Sequence, residues 1–203
     1  MLNNKLYKCT CHVAAYNADG GFCDGCGVVC DDYIITAGHV AESAVSFEVF
    51  FGKRLYNLKS DHIVLLDVSY KTGKEQGHDV AVIKLDINCC GLTISDTTPS
   101  TGMEFDSISF KHVIESDASS ILRTSKESYD CIVNYGIVLC VEGNFFGCKM
   151  QHALEEGRSG SPCFVGDKLL GILHGGVGEQ SKSCFYESAH SIVSLMKSKG
   201  LPL

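Results

Sequence analysis

The sequence predicts an all-β protein assembled from antiparallel barrels or a sandwich. Three observations carry this reading: short β-rich runs recur along the whole chain, turn residues separate them, and a single segment has the period of a helix. The runs are 12–16, 33–36, 45–51, 63–68 and 80–85, followed by 105–110, 120–122, 131–133, 137–141, 169–173 and 184–186. Ala18-Asp19-Gly20-Gly21 and Glu142-Gly143-Asn144 are turn signals between runs. The least strand-like stretch is 93–102, rich in Ser and Thr with one proline. It reads as part of a linker, 93–104, between a first β unit at 1–92 and a second at 105–203.

The helical exception is 188–198. Ile192, Leu195 and Met196 form an i, i+3, i+4 stripe; Lys197 and Lys199 sit at its end, Gly200 stops it and Pro202 lies beyond. A short helix is therefore expected to close the chain against the second unit.

With 203 residues, 45% hydrophobic and 20% charged, the composition is that of a globular chain and not of a disordered segment. No apolar run approaches the roughly 18 residues a membrane helix needs, so no membrane insertion is expected. Met1-Leu2-Asn3-Asn4-Lys5 carries one lysine and no apolar core behind it, so no secretion signal is read and a cytoplasmic location is expected. The formal net charge of −7 repels phosphate and argues against nucleic acid as the main partner.

Twelve cysteines are many for this length. Without an export signal, and with Cys89 and Cys90 adjacent, most of them read as reduced, buried, small hydrophobes rather than as a disulfide framework. Cys9, Cys11 and His12, with Cys23 and Cys26, have zinc-ligand spacing. Strand alternation would send such ligands to both faces of one strand, so no metal is expected there.

Three segments carry chemistry. Tyr33-Ile34-Ile35-Thr36-Ala37-Gly38-His39-Val40 is a buried strand running into a small-residue turn that presents a histidine. Gly77-His78-Asp79-Val80-Ala81-Val82-Ile83-Lys84-Leu85 places an acid at the mouth of an apolar strand. Glu156-Gly157-Arg158-Ser159-Gly160-Ser161-Pro162 brackets a serine with glycines ahead of a strand at 163–165. A serine hydroxyl is a weak nucleophile until a base takes its proton, and histidine is the natural base near neutral pH. A buried carboxylate fixes the imidazole tautomer. Glycines beside the serine let backbone N–H groups, assigned to Gly157 and Ser159, meet on an oxyanion. Asp67 and Glu75 are rival carboxylates; Asp79 is preferred because the apolar strand follows it. His78 is expected to face the other side of the strand.

On these motifs the chain resembles the chymotrypsin-like serine proteases. T-A-G-H, D-V-A-V-I-K-L and G-R-S-G-S-P follow in the family's order of His, Asp and Ser, here His39, Asp79 and Ser159. Cys26-Gly27-Val28-Val29 is similar to the family's second barrel strand, and Gly171-Ile172-Leu173-His174-Gly175-Gly176 to the strand that holds the substrate backbone. The resemblance implies two six-stranded antiparallel β-barrels packed face to face, an endopeptidase site between them, an acyl-enzyme, a peptide or polyprotein substrate, and no cofactor. The alternative from another class is a protease-fold binding module that has lost turnover.

The departures from that family are specific. Arg158 stands where secreted members have an aspartate that pairs with a freed N-terminus, so no zymogen switch of that kind is expected. Val40 replaces the usual cysteine after the histidine. Short loops and G-x-S-G-S-P are similar to the main proteases of positive-strand RNA viruses, in the style of the arterivirus and astrovirus enzymes that keep a serine. Many viral relatives carry G-x-H-x-G-G, whose histidine reads the residue before the cut. Here the histidine is one place later, which on a strand reverses its face. Leu173 then takes the pocket position and His174 points toward Asp79 or the back of the site, unless a bulge restores the viral geometry and makes it the pocket reader; both are placed in the expected substrate-binding set. Ala153, Leu154, Gly175, Gly176 and Cys184 complete the expected substrate-binding set. None of these is charged, so a trypsin-like preference for basic residues is not expected.

Overall fold

The structure, a computed structural model, describes residues 4–72, 77–85, 92, 94, 96–116, 125–178 and 181–202. Its first unit is a curled sheet of seven strands: β1 (Thr10–Asn17), β2 (Phe22–Cys30), β3 (Tyr33–Ala37), β4 (Ala44–Phe51), β5 (Arg54–Lys59), β6 (Ile63–Asp67) and β7 (Val80–Lys84), in the order β5-β4-β1-β2-β3-β7-β6. The two-residue period is visible in β4, where Phe47, Val49 and Phe51 are buried while Glu48 and Phe50 between them are half-buried. Gly52 and Lys53, both at positive φ, turn β4 into β5. This is the twist-matching geometry of a two-residue hairpin. Extending the hairpin adds a strand that no sequence run announced, and it makes this unit a seven-stranded sheet with β5 and β6 at its ends.

The second unit is a closed barrel. Its strands are β8 (Glu104–Ser116), β9 (Ser125–Glu142), β10 (Phe145–Met150), β11 (Pro162–Val165), β12 (Lys168–Gly176) and β13 (Ser183–Ser188), ordered β10-β13-β12-β11-β8-β9. Closure gives every strand a neighbour on each side, β11 and β8 meeting at Cys163–Ser107 and Phe164–Asp106. β9 unites the expected runs 131–133 and 137–141 in one 18-residue strand paired along β8. The expected run 120–122, Cys89, Cys90 and Glu75 lie outside the described residues.

Apolar side chains form three clusters. One fills the first sheet around Ile34, Phe47, Val49 and Ile83. One fills the barrel, where Phe146 stacks on Tyr186 and Phe105 meets both rings edge-on. The third joins the units: Val28, Ile35 and Val82 from the first meet Ile108, Phe164 and Ile172 from the second. Cys9 packs in this joining cluster and Cys11 inside the first sheet, so two residues of the C-x-C-H motif serve different cores.

A ten-residue helix, Ala189–Ser198, follows β13 and adds Ile192 and Met196 to the joining cluster. Ser188 caps it by accepting the Ser191 N–H at 3.1 Å, one residue before the helix begins. An additional short helix, Asn4–Cys9, precedes β1. Its buried Leu6 and Cys9 fall at i, i+3, but six residues are too few for a period to register in sequence.

Candidate active site

Sheet register brings the first two motifs together. β3 and β7 are antiparallel, with Ala37 opposite Val80. The residues just past the end of β3 therefore meet those just before β7. Gly38 makes the close approach possible: a Cβ there would stand 2.8 Å from Val68 and 2.9 Å from the Val80 nitrogen. A single helical turn, Gly38–Ala41, then presents His39.

The loop carrying Ser159 is docked from the other unit. The Cys26 N–H of β2 donates to the Ser159 carbonyl at 2.7 Å, and the Gly160 N–H donates to Leu173 of β12 at 2.7 Å. Gly160 has φ +82°, and a Cβ on it would fall 2.1 Å from the Cys26 carbonyl oxygen. Only glycine fits that seam.

Asp79, whose side chain is 0% exposed, collects three donors. Its Oδ1 accepts the His39 backbone N–H at 2.8 Å, and its Oδ2 lies 2.7 Å from His39 Nδ1 and 2.5 Å from His174 Nδ1. Burial alone would raise this carboxyl, but the hydrogen bonds from His174 and His39 outweigh it and bring its pKa down to about 2. An ionised carboxylate only accepts, so both Nδ1 atoms carry their protons. Neutral His39 then has its Nε2 lone pair facing the Ser159 hydroxyl oxygen, 2.8 Å away. Among the described residues these are the His, Cys, Asp and Glu donor atoms found converging in a group of three, His39, Asp79 and His174. Here they converge as two N–H donors about one acceptor oxygen. Asp67, the rival acid, instead accepts the Ser69 N–H at 2.9 Å.

His174 is the extra residue of a bulge: Leu173 pairs with Tyr186, and Gly175 with Phe185. The bulge does not turn it into a pocket reader. It aims the ring at Asp79, between Tyr70 at 4.5 Å and Phe145 at 5.4 Å. His174 lines a cavity of about 310 Å³ with those rings and Phe185.

A separate cavity of about 260 Å³ adjoins Ser159. Leu154, Leu173, Gly175 and Gly176 line it, together with Gly178. Glu155, Glu156 and Arg158 also border it, so charged side chains stand beside the uncharged ones. Glu155 is tied to Lys111 at 3.0 Å and to Arg158 at 3.1 Å, and these cations hold its carboxyl below the usual range. Ala153 is exposed outside the cavity. Cys184 points into the barrel interior, its sulfur 3.2 Å from that of Cys148, because the β13 alternation that buries Tyr186 buries it too. Tyr70 and Phe145 were missed: an aromatic in a short turn after β6 and one opening β10 carry no signal until the fold brings them to His174.

The fold and this constellation define a chymotrypsin-type protease architecture. The sequence matches the trypsin family over residues 4–195, and the chain belongs to that family. Solved structures agree on the fold. The chain is similar to the product complex of tobacco etch virus protease, with TM-score 0.69 and 15% identity, covering 98% of this chain and 81% of that one. It is similar to the active form of the Rv3671c protease from M. tuberculosis, with TM-score 0.66 and 15% identity over 98% and 83%. It is also similar to a serine endoprotease from Yersinia pestis, with TM-score 0.67 and 20% identity over 96% and 64%. No curated protein sequence matches it.

Proposed function

We propose that this chain is a serine endopeptidase working through an acyl-enzyme. The observation that carries the proposal is His39, which bridges Asp79 at 2.7 Å and Ser159 at 2.8 Å through its two ring nitrogens. Ser159 Oγ attacks the peptide carbonyl as His39 Nε2 takes its proton, and Asp79 holds the imidazolium that forms. The oxyanion rests on the Gly157 and Ser159 amides. His39 returns the proton to the leaving amine, and water repeats the sequence on the ester. The residue before the cut enters the cavity bordered by Leu154, Leu173, Gly175 and Gly176.

The biological role we propose is processing of a viral polyprotein, in the style of the arterivirus and astrovirus enzymes. Arg158, Val40 and the G-R-S-G-S-P loop support it, as does similarity to a plant-virus protease solved with product. We take residues 1–92 and 105–203 as its two units and 93–104 as their link. Incubating the protein with a peptide library tests the reading: the parent cleaves internal bonds, and Ser159→Ala, with an unchanged circular dichroism spectrum, does not. Equal cleavage by both would overturn it.

A further inference from the structure

A second carboxylate is buried behind Asp79. Glu187, on β13 of the barrel, has 0% exposure, and both of its oxygens are engaged. Oε2 accepts the backbone N–H of Asp79 at 2.7 Å. Oε1 lies 2.6 Å from His78 Nδ1 and accepts the Ser191 hydroxyl at 3.2 Å. His78 donates its own backbone N–H to Ser69 Oγ at 3.0 Å, and Asn144, in the β9–β10 turn, donates to the Gly77 carbonyl at 3.2 Å. Residues 77–79 belong to the first unit, yet β13, the C-terminal helix and the β9–β10 turn of the second unit all grip them.

A buried ion pair is a poor device for stability alone, because desolvation offsets most of its attraction. What this one supplies is direction. One carboxylate oxygen is fixed on the peptide N–H of Asp79, and that peptide sets where the Asp79 side chain leaves the backbone. His78 and Asp79 are adjacent and point to opposite sides, so a single peptide carries one side chain to Glu187 and the other to His39.

We infer that Glu187 and His78 are positioning residues for the reaction: the pair clamps the Asp79 peptide across the junction of the two units and so aims Asp79 at His39. This rests on the serine-protease reading above. The groups facing His78 are Glu187, Ser191, Asn144 and Ser69, and the charge of Asp67 also acts on it. The hydrogen bond to Glu187 raises the His78 pKa, which is the direction expected where a carboxylate accepts from an imidazole.

The test is the rate at which a fluorophosphonate probe phosphonylates the serine, measured against pH. The Oγ–P bond forms, fluoride leaves, and His39 takes the hydroxyl proton. Glu187→Gln keeps the shape but removes the charge. It is expected to slow labelling about 10- to 100-fold, the scale of a misaimed catalytic group. It should also move the acid limb to lower pH, because a loosened Asp79 stabilises the His39 imidazolium less. A partly unfolded variant would label less without moving that limb. His78→Gln, which keeps a donor toward Glu187, should retain most of the rate, while His78→Leu should lose it; this pair decides the matter if Glu187→Gln does not fold. Parental rate and pH limb in Glu187→Gln and His78→Leu, alongside labelling of the parent that Ser159→Ala abolishes, would overturn the clamp and leave the triad standing. A parent chain that resists the probe would overturn both.

Discussion

His174 and His39 share one oxygen atom: both Nδ1–H groups point at Asp79 Oδ2, from 2.5 and 2.7 Å. The rings meet edge to face with centroids 5.8 Å apart. His39, the proposed base, is thus held by a carboxylate that a second imidazole also grips. A charge-assisted hydrogen bond of this kind is worth about 1.5–3 kcal/mol. His174→Ala is therefore expected to lower peptide hydrolysis about 10- to 100-fold, read as kcat/KM on one cleaved peptide. The same variant should raise the Asp79 pKa, because one of its donors is gone.

Asp79→Asn gives a sharper outcome. An amide offers N–H to His39 Nδ1, so the imidazole proton moves to Nε2 and faces the Ser159 hydroxyl with no lone pair. The geometry survives and the tautomer is wrong. Activity near neutral pH should fall about 10⁴-fold, the scale seen when a triad aspartate is neutralised. Steady-state rates beside thermal melts separate this loss from unfolding.

Two carboxylate–imidazole sites contribute to the pH dependence of stability in opposite senses. Asp79 is depressed from 3.8 to about 2, so its contribution is complete above about 3.8 and is lost as pH falls through about 2. The shift corresponds to about 2 kcal/mol. His78 is raised above 6.5, so its contribution is complete below 6.5 and is lost as pH rises through the higher folded value. Urea denaturation across pH should show both slopes, and His78→Gln should flatten the one above pH 6.5.

Gly160→Ala should fail structurally. Its Cβ would collide with the Cys26 carbonyl at 2.1 Å, at a φ that L-residues avoid. The cost is expected to exceed about 2 kcal/mol, the strain of the left-handed conformation alone being about 1–2. Denaturant midpoints measure it.

Much of the site was legible because each part is announced locally. A buried strand ending in Ala37-Gly38-His39, an acid before Val80 and a serine between Gly157 and Gly160 are contiguous patterns, and the register of β3 and β7 then does the assembly. The direction of His174 was half legible: its one-residue displacement was visible, but the bulge that aims it depends on pairing with β13. Glu187 was hidden, since a glutamate between Tyr186 and Ser188 looks like any strand residue until its partner arrives from 109 positions away. The closed barrel was foreseen as a class. The seventh strand of the first sheet was not, because Arg54–Lys59 is a mostly exposed edge whose pairing follows from the Gly52-Lys53 turn.

The most direct measurement is the mass of the intact protein, and of its tryptic peptides, after exposure to a fluorophosphonate at neutral pH. A single adduct on the peptide containing residue 159, missing when His39 is changed to Ala, is the predicted result. An unmodified chain, or an adduct that forms just as fast without the imidazole of His39, would contradict the account.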